Sequence, residues 1–273
     1  MSYQPVVPMG GFAGWRFLQR TLSIQQAALT NSAPAQRDEA YFRANIGAID
    51  TAEDLVGNRR LLNVALTAFG LQDDIANRAY LQKVLESRLS DPASFANRLS
   101  DKRYRQLAQA FAFGDRTVPR TKLATFPDEI LTKFRDRSFE IAVGRSDDTM
   151  RIALALQRDL KALAEQPTSD LARWYTVLGT PTLRTVFEKA FNLPGSFGTL
   201  DLDRQVDVLR ERTERLTGAD TISQFAEPEA MEALTQRYFL GIEIAQVRSG
   251  GIQNVALTLL QNGQASFAAL RPR

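Results

Sequence analysis

The segment from Gly57 to Leu71 has the sequence GNRRLLNVALTAFGL, and the segment from Gly179 to Leu193 has the sequence GTPTLRTVFEKAFNL. The two segments align without a gap, and 6 of their 15 positions are identical. In the first segment the identical positions are Gly57, Leu61, Val64, Ala68, Phe69 and Leu71. Because most of these positions are three or four residues apart, they share one face of an α-helix. We therefore predict the same buried helix twice in the chain.

The order of segments after each copy is also shared. An amphipathic segment with Val84 or Val208 comes first, a phenylalanine follows, and a further amphipathic segment closes each series. Coincidence is the alternative to duplication, since any two amphipathic helices share a stripe of Leu, Val and Ala. The shared glycine, phenylalanine and order favour duplication. The predicted fold class is all-α, a multi-helical bundle in which two degenerate helical repeat units pack together.

Helical periodicity extends over the rest of the chain, without any alternating β-branched run between turn residues. We predict helices near residues 12–29, 35–48, 51–56, 58–69, 73–89, 92–98, 101–113, 127–143, 146–165, 169–178, 181–191, 201–217, 220–225, 228–248 and 251–261. The predicted segments are a leader helix at 1–34, a first unit at 35–115, a second unit with connecting helices at 116–240, and a C-terminal helix and tail at 241–273. We expect these segments to form one compact domain.

Short motifs predict where helices begin and end. Predicted starts are Asp91-Pro92, Ser146-Asp147-Asp148, Thr180-Pro181 and Glu227-Pro228, and predicted ends are Gly70, Gly114, Gly144 and Gly218. Asp, Ser and Thr accept hydrogen bonds from the first turn, and proline fits its first position. Glycine adopts the left-handed backbone that closes many helices.

The composition argues against most catalytic chemistry. The 273 residues include no cysteine and no histidine. These absences exclude thiol catalysis, Ser-His-Asp machinery and the usual zinc sites. Chemistry based on carboxylates, Lys, Tyr or Ser-Lys pairs remains open, but no such residues are arranged as an active site. We expect a protein that is not an enzyme and that uses no cofactor or metal.

Three local patterns have simple structural interpretations. Lys102, Arg103 and Arg105 surround Tyr104, which is typical of a solvated helix face and, as the alternative, of a nucleic-acid patch. The series Asp201-x-Asp203-x-x-x-Asp207 resembles a calcium loop, but it lacks the required Gly and Glu, so we interpret it as a helix start. The glycine-rich stretch Met9–Gly14 predicts a flexible leader.

Charge and hydropathy indicate where the protein acts. The net charge of +3 comes from 34 basic and 31 acidic residues that alternate along the chain, so we expect no specific nucleic-acid partner. The sequence contains no apparent signal peptide and no apolar stretch long enough to span a membrane. We expect a cytoplasmic protein, although export through a dedicated apparatus stays open.

The first and last predicted helices lie outside the duplicated segments. Each has an apolar face, formed by Trp15, Leu18 and Leu22 in the first and by Ile252, Val255 and Leu259 in the last. Such helices cap a repeat or dock on a partner. These six residues are the predicted partner contacts.

A longer motif resembles a known family. Asp91-Pro92-x-Ser94-Phe95-Ala96-Asn97-Arg98-Leu99-Ser100-Asp101-Lys102-Arg103-Tyr104 is the most specific part, and Tyr41-Phe42-Arg43-x-x-Ile46-Gly47 and Ala68-Phe69-Gly70-Leu71 add to it. Together they resemble the alphaproteobacterial domain-of-unknown-function family 1217, closely over residues 35–115 and more weakly to about 240. Genes of this family often lie among flagellar genes, and the family has no established activity or site residues to carry over.

The residues and the resemblance together favour one function. We expect a non-enzymatic helical interaction or assembly protein that acts in flagellar assembly or regulation and has a protein partner. Homo-oligomerisation is left open. The alternative is a helical module that binds a small ligand or lipid between the two units.

Overall fold

The computed structural model describes residues 3–247, and every regular element in that range is a helix. The α-helices are α1 (Gly11–Thr30), α2 (Ala33–Asn45), α3 (Ala52–Gly57), α4 (Arg59–Ala68), α5 (Arg78–Leu85), α6 (Phe95–Arg98), α7 (Lys102–Phe111), α8 (Phe126–Gly144), α9 (Asp148–Ala164), α10 (Asp170–Gly179), α11 (Pro181–Ala190), α12 (Leu202–Thr217) and α13, which begins at residue 228 and is described as far as residue 247. Short 3-10 helices lie at Ile46–Ala48, Gln72–Asp74, Arg120–Lys122, Gly195–Thr199 and Ser223–Ala226. The predicted all-α class is confirmed.

Three predicted helices are shorter than expected. The helix predicted at 73–89 is a 3-10 turn at Gln72–Asp74 followed by α5, which starts only at Arg78. The helix predicted at 92–98 is reduced to α6, because the Asp91 carboxylate accepts the Ala93 N–H at 2.8 Å in a tight turn. The helix predicted at 220–225 is only a 3-10 turn at Ser223–Ala226. The helix predicted at 251–261 lies outside the described residues.

The predicted helix starts are mostly confirmed. Asp147 accepts N–H groups of the first turn of α9, Thr180 precedes α11, and α13 begins at residue 228. Asp91 is the exception, since α6 begins four residues later at Phe95.

One of the four predicted helix ends is wrong. Gly70 and Gly218 adopt left-handed backbone, with φ of 69° and 85°, and α8 ends at Gly144. Helix α7, however, ends at Phe111, three residues before Gly114, and is followed by Ala112, whose φ is 56°. The predicted flexible leader is also wrong in its second half, because α1 already begins at Gly11.

The chain divides into two compact units, Met1–Leu154 and the part from Ala155 onward. The boundary falls inside α9 and is coarser than the four predicted segments, whose limits stay predictions. In the first unit α4 is the central helix, and α2, α3 and α8 pack on it. Its side chains from Leu61 to Ala68 are buried with the exception of Asn63. Each large apolar side chain buried in this way contributes about 1.5–3 kcal/mol.

The second unit has an aromatic core. Trp174 on α10 meets Phe187 on α11 with ring centroids 5.5 Å apart, and Phe187 also meets Phe225 at 6.0 Å. The indole N–H of Trp174 donates to the Asp220 carbonyl at 3.0 Å. Because its N–H has a hydrogen-bond acceptor, the Trp174 ring is fully buried in the core of the second unit without an unpaired donor.

The two predicted repeat segments end in the same backbone geometry. The Leu71 N–H donates to the Leu66 carbonyl at 2.8 Å, and the Leu193 N–H donates to the Glu188 carbonyl at 2.9 Å. The residues before them, Gly70 and Asn192, are both left-handed, with φ of 69° and 50°. This pattern is the Schellman closure. The shared closure agrees with duplication, which stays a prediction, as does the packing of two repeats together.

Candidate functional site

The loop between α5 and α7 contains the residues that resemble the family, and its polar groups are bonded within the first unit. The Asn97 amide donates to the carbonyls of Leu89 and Asp91 at 2.9 and 2.8 Å. The Ser87 hydroxyl accepts the Ala96 N–H at 3.1 Å. An irregular loop has few backbone partners of its own, so these side chains replace the missing hydrogen bonds.

The same loop is fixed from its other side by the chain that follows α7. The Asp115 carboxylate accepts the Leu89 N–H at 3.0 Å and the Ser90 N–H at 3.4 Å. At Gly114 an added Cβ would lie 2.4 Å from the Glu86 carbonyl oxygen. Glycine at this position therefore permits close backbone contact, which is the reason for its place in the sequence.

Tyr104 connects the loop to the end of the first repeat segment. Its hydroxyl donates to the Asp74 carboxylate at 2.8 Å, and its ring packs edge-on against Tyr80 at 5.2 Å. Burial, together with the hydrogen bond to Asp74, raises the pKa of Tyr104. Burial and the Asp74 charge likewise raise the pKa of Tyr80. Both phenols are held neutral, so they act as hydrogen-bonding and packing groups and not as bases.

The basic cluster predicted at the start of α7 bonds to its own unit. Arg103 pairs with Asp101, at 2.7 Å from Nη2, and also donates to the Gly70 carbonyl. Lys102 donates to the Leu99 carbonyl at 2.9 Å, and Arg105 donates to Asn97 at 3.0 Å. Burial opposes ionisation of Asp101, but the Arg103 hydrogen bonds outweigh it and lower the pKa of this carboxyl. The three basic side chains therefore bond to neighbouring groups of the first unit while remaining exposed to solvent.

The predicted partner contacts fall in three different places. Trp15 and Leu18 are 2% and 0% exposed, so they belong to the interior of the first unit. Leu22 is half-buried on the same helix. Ile252, Val255 and Leu259 lie outside the described residues. The apolar character of Trp15 and Leu18 is explained by their burial in the core. They could contact a protein partner only by leaving it.

An exposed apolar surface on the second unit is the feature that sequence reasoning missed. Helix α10 buries Trp174, but Leu171 is 49% exposed and Tyr175, one turn further on, also faces solvent. The Tyr175 hydroxyl donates to Asp203 at the start of α12, next to Leu202, which is 56% exposed. Leu200 is exposed just before it. We call Leu171, Tyr175, Leu200 and Leu202 the α10/α12 surface.

The signal for this surface is present in the sequence but ambiguous. Leu171 and Tyr175 are spaced four residues apart, as are core residues, and Tyr175 adjoins the buried Trp174. Which face of α10 packs inward depends on neighbouring helices, so the spacing alone cannot show the exposure. Clusters of exposed apolar side chains are typical of interaction sites.

A groove of about 370 Å³ lies beside α11 in the second unit. Arg184 and Glu188 form an ion pair of 2.8 Å on its wall, and Lys189, Leu193, Pro194, Gly195 and Gly198 complete it. The positions that correspond to this pair in the first repeat segment are Leu62 and Leu66, which are fully buried. The second unit thus has a charged pair beside an open groove at the positions where the first unit has two buried leucines.

Two further findings concern only the part of the chain that the structure describes. Within residues 3–247 no group of three or more acidic side chains is placed to hold a metal ion. None of the helices in this range has the length and hydrophobicity that crossing a bilayer requires.

Comparison with known proteins shows the family of this chain. The family described as Protein of unknown function (DUF1217) matches residues 68–231, which is more than half of the chain. The chain therefore belongs to this family. The matched range contains the Asp91–Tyr104 motif, whereas Tyr41–Gly47 lies before it.

A solved structure confirms that the fold occurs elsewhere. The chain is similar to the X-ray crystal structure of a protein from Agrobacterium tumefaciens, with a TM-score of 0.70 and 22% sequence identity. The match covers 89% of this chain and 99% of that one. At this identity the similarity concerns the fold alone. No curated protein matches the sequence.

Proposed function

We propose that the chain is a non-enzymatic helical interaction protein and that the α10/α12 surface docks its protein partner. The observation that carries the proposal is the exposure of Leu171 and Leu202 beside the Tyr175–Asp203 hydrogen bond. A surface of this kind gains free energy when a partner covers the apolar side chains.

The biological setting that we propose is flagellar assembly or regulation in the cytoplasm. This part rests on the family resemblance and its association with flagellar genes. Deleting the gene tests it, and we expect fewer or shorter flagella in electron micrographs and reduced swimming. Normal flagella and normal motility in the deletion strain would remove the flagellar role.

The docking surface has a separate test. Leu171→Arg and Leu202→Arg place charge on the α10/α12 surface, where the replaced side chains are 49% and 56% exposed. We expect each to lose proteins that the wild type retains in cross-linked pull-downs from motile cells, as judged by quantitative mass spectrometry. Ile24→Arg is the matched control, since Ile24 is 71% exposed on the first unit and lies outside the surface. Equal recovery from all three variants would contradict the docking surface.

The groove beside α11 favours a second candidate function, binding of a small anionic ligand. Arg184 and Lys189 supply positive charge, but Glu188 neutralises part of it. Native mass spectrometry of the freshly purified protein tests this function. A retained small molecule that is lost from Arg184→Ala would support it, and an unliganded mass in both proteins would count against it.

A further inference from the structure

Residues 3–9 form an extended strap that is held by one glutamine of α1. Gln25 is 5% exposed, and its Oε1 accepts the Val6 N–H at 2.7 Å while its Nε2 donates to the Val6 carbonyl at 3.0 Å. Nε2 also donates to the Thr21 hydroxyl at 2.8 Å. A neighbouring β-strand would bond both backbone groups of a residue in the same way. Gln25 therefore recognises extended backbone, whatever side chain stands at position 6.

Further contacts fix the position of the strap along its length. Pro5 is buried, and Gln4 donates from Nε2 to the Ala142 carbonyl at 3.5 Å, near the end of α8, and to the Ser146 hydroxyl at 3.0 Å, just after it. At Gly14 an added Cβ would lie 1.9 Å from the Met9 carbonyl oxygen, so the strap passes directly over α1 there. We call Gly14, Thr21, Gln25, Ala142 and Ser146 the seat of the strap.

The strap is joined to α1 through a pair of glycines. Gly11 has a φ of 69°, and an added Cβ at Gly10 would meet no atom within 4 Å. Val6 and Met9 are more than half exposed, Tyr3 and Val7 are half-buried, and Pro5 is buried. Because glycine adopts more backbone angles than any other residue, Gly10 and Gly11 are the hinge about which the strap can turn away from α1 and α8.

We propose that the seat is a binding site for the strap of a second copy of this chain, so that two copies pair by exchanging residues 3–9 through the Gly10–Gly11 hinge. The strap of another copy has the same sequence and makes the same contacts with Gln25, Ala142 and Ser146. Only the hinge conformation and the entropy of association differ between the closed and the exchanged forms. The exchange uses the first unit alone and is independent of the α10/α12 surface.

Cross-linking of full-length chains tests the exchange, and the absence of cysteine from the sequence makes the labels specific. A Gln4→Cys chain is mixed with an isotope-labelled Ser146→Cys chain, incubated at a series of concentrations and treated with a short bismaleimide. We expect cross-links between the labelled and unlabelled chains, increasing with concentration. In a closed chain the two thiols stay in separate molecules. No mixed cross-link at any concentration would overturn the proposal.

A control separates exchange from chance collision. Val118→Cys replaces Ser146→Cys, because Val118 is 66% exposed and lies before the start of α8, whereas Ser146 follows its end. We expect mixed cross-links to fall to the level of random collision in this control. Undiminished cross-linking with Val118→Cys would also overturn the proposal.

Discussion

Tyr104 connects two parts of the first unit that are 30 residues apart through one hydroxyl group. Its partner Asp74 ends the 3-10 turn after the first repeat segment, and its own helix, α7, begins at Lys102. The bond therefore joins the family motif to the chain that follows α4. At the scale of single residues, we infer that the motif stabilises the fold.

Tyr104→Phe tests this role of the hydroxyl. The variant leaves Asp74 without its phenol donor in a half-buried place, so we expect a loss of about 1–2 kcal/mol in the free energy of unfolding, measured by urea denaturation. Tyr175→Phe is the matched control, because it removes a similar phenol–carboxylate bond at the surface, and we expect no measurable loss. Equal stability of the two variants would contradict a stabilising role of the Tyr104 hydroxyl.

Asp101→Asn tests the ion pair with Arg103 through its pH dependence. Because the pKa of folded Asp101 is lower than its ordinary value of 3.8, its contribution is present above that pH and is lost as the pH falls through the folded pKa. Asparagine still caps α7 but cannot pair with Arg103. We expect wild type to be more stable than the variant at pH 7, by about 0.2–1 kcal/mol for this partly exposed pair. The difference should shrink as the pH falls below 3.8 and vanish once the folded carboxyl is protonated, and a difference that persists in acid would exclude the ion pair as its cause.

Helices with signals at both ends could be predicted closely from the sequence. The segments predicted at 58–69 and 181–191 are α4 and α11 to within a residue, since Asn58 or Thr180 starts each and a left-handed residue follows each. The helix predicted at 73–89 was wrong because its first part depends on distant contacts. Asp74 is bonded by Tyr104, and no local pattern shows a partner 30 residues away.

Gly70→Ala tests the closure of α4 as an element. Gly70 has a φ of 69°, and an added Cβ would make only ordinary contacts, so left-handed strain is the main cost. We expect a loss of about 1–2 kcal/mol in the free energy of unfolding. Gly57→Ala, at the end of α3, is the control with open space and no positive φ, and we expect it to be neutral. The closure would not require glycine if both variants unfolded at the same urea concentration.

For the whole molecule, the sequence sufficed for the fold class but not for the α10/α12 surface. Trp15 and Leu18 have the apolar spacing of a docking face, yet they lie in the core of the first unit. Leu171 and Leu202 are 31 residues apart in sequence, and only packing of α10 against α12 brings their neighbours Tyr175 and Asp203 together. Exposure is a property of the assembled unit, so periodicity cannot separate a docking face from a core face.

Complementation of the deletion strain tests the central claim that the α10/α12 surface carries the function. The strain receives wild type, Leu171→Arg with Leu202→Arg, or Ile24→Arg, and swimming is measured together with the amount and thermal stability of each protein. We predict that wild type and Ile24→Arg restore motility, whereas the double variant folds and accumulates normally but does not. Full restoration of motility by the double variant would contradict the account.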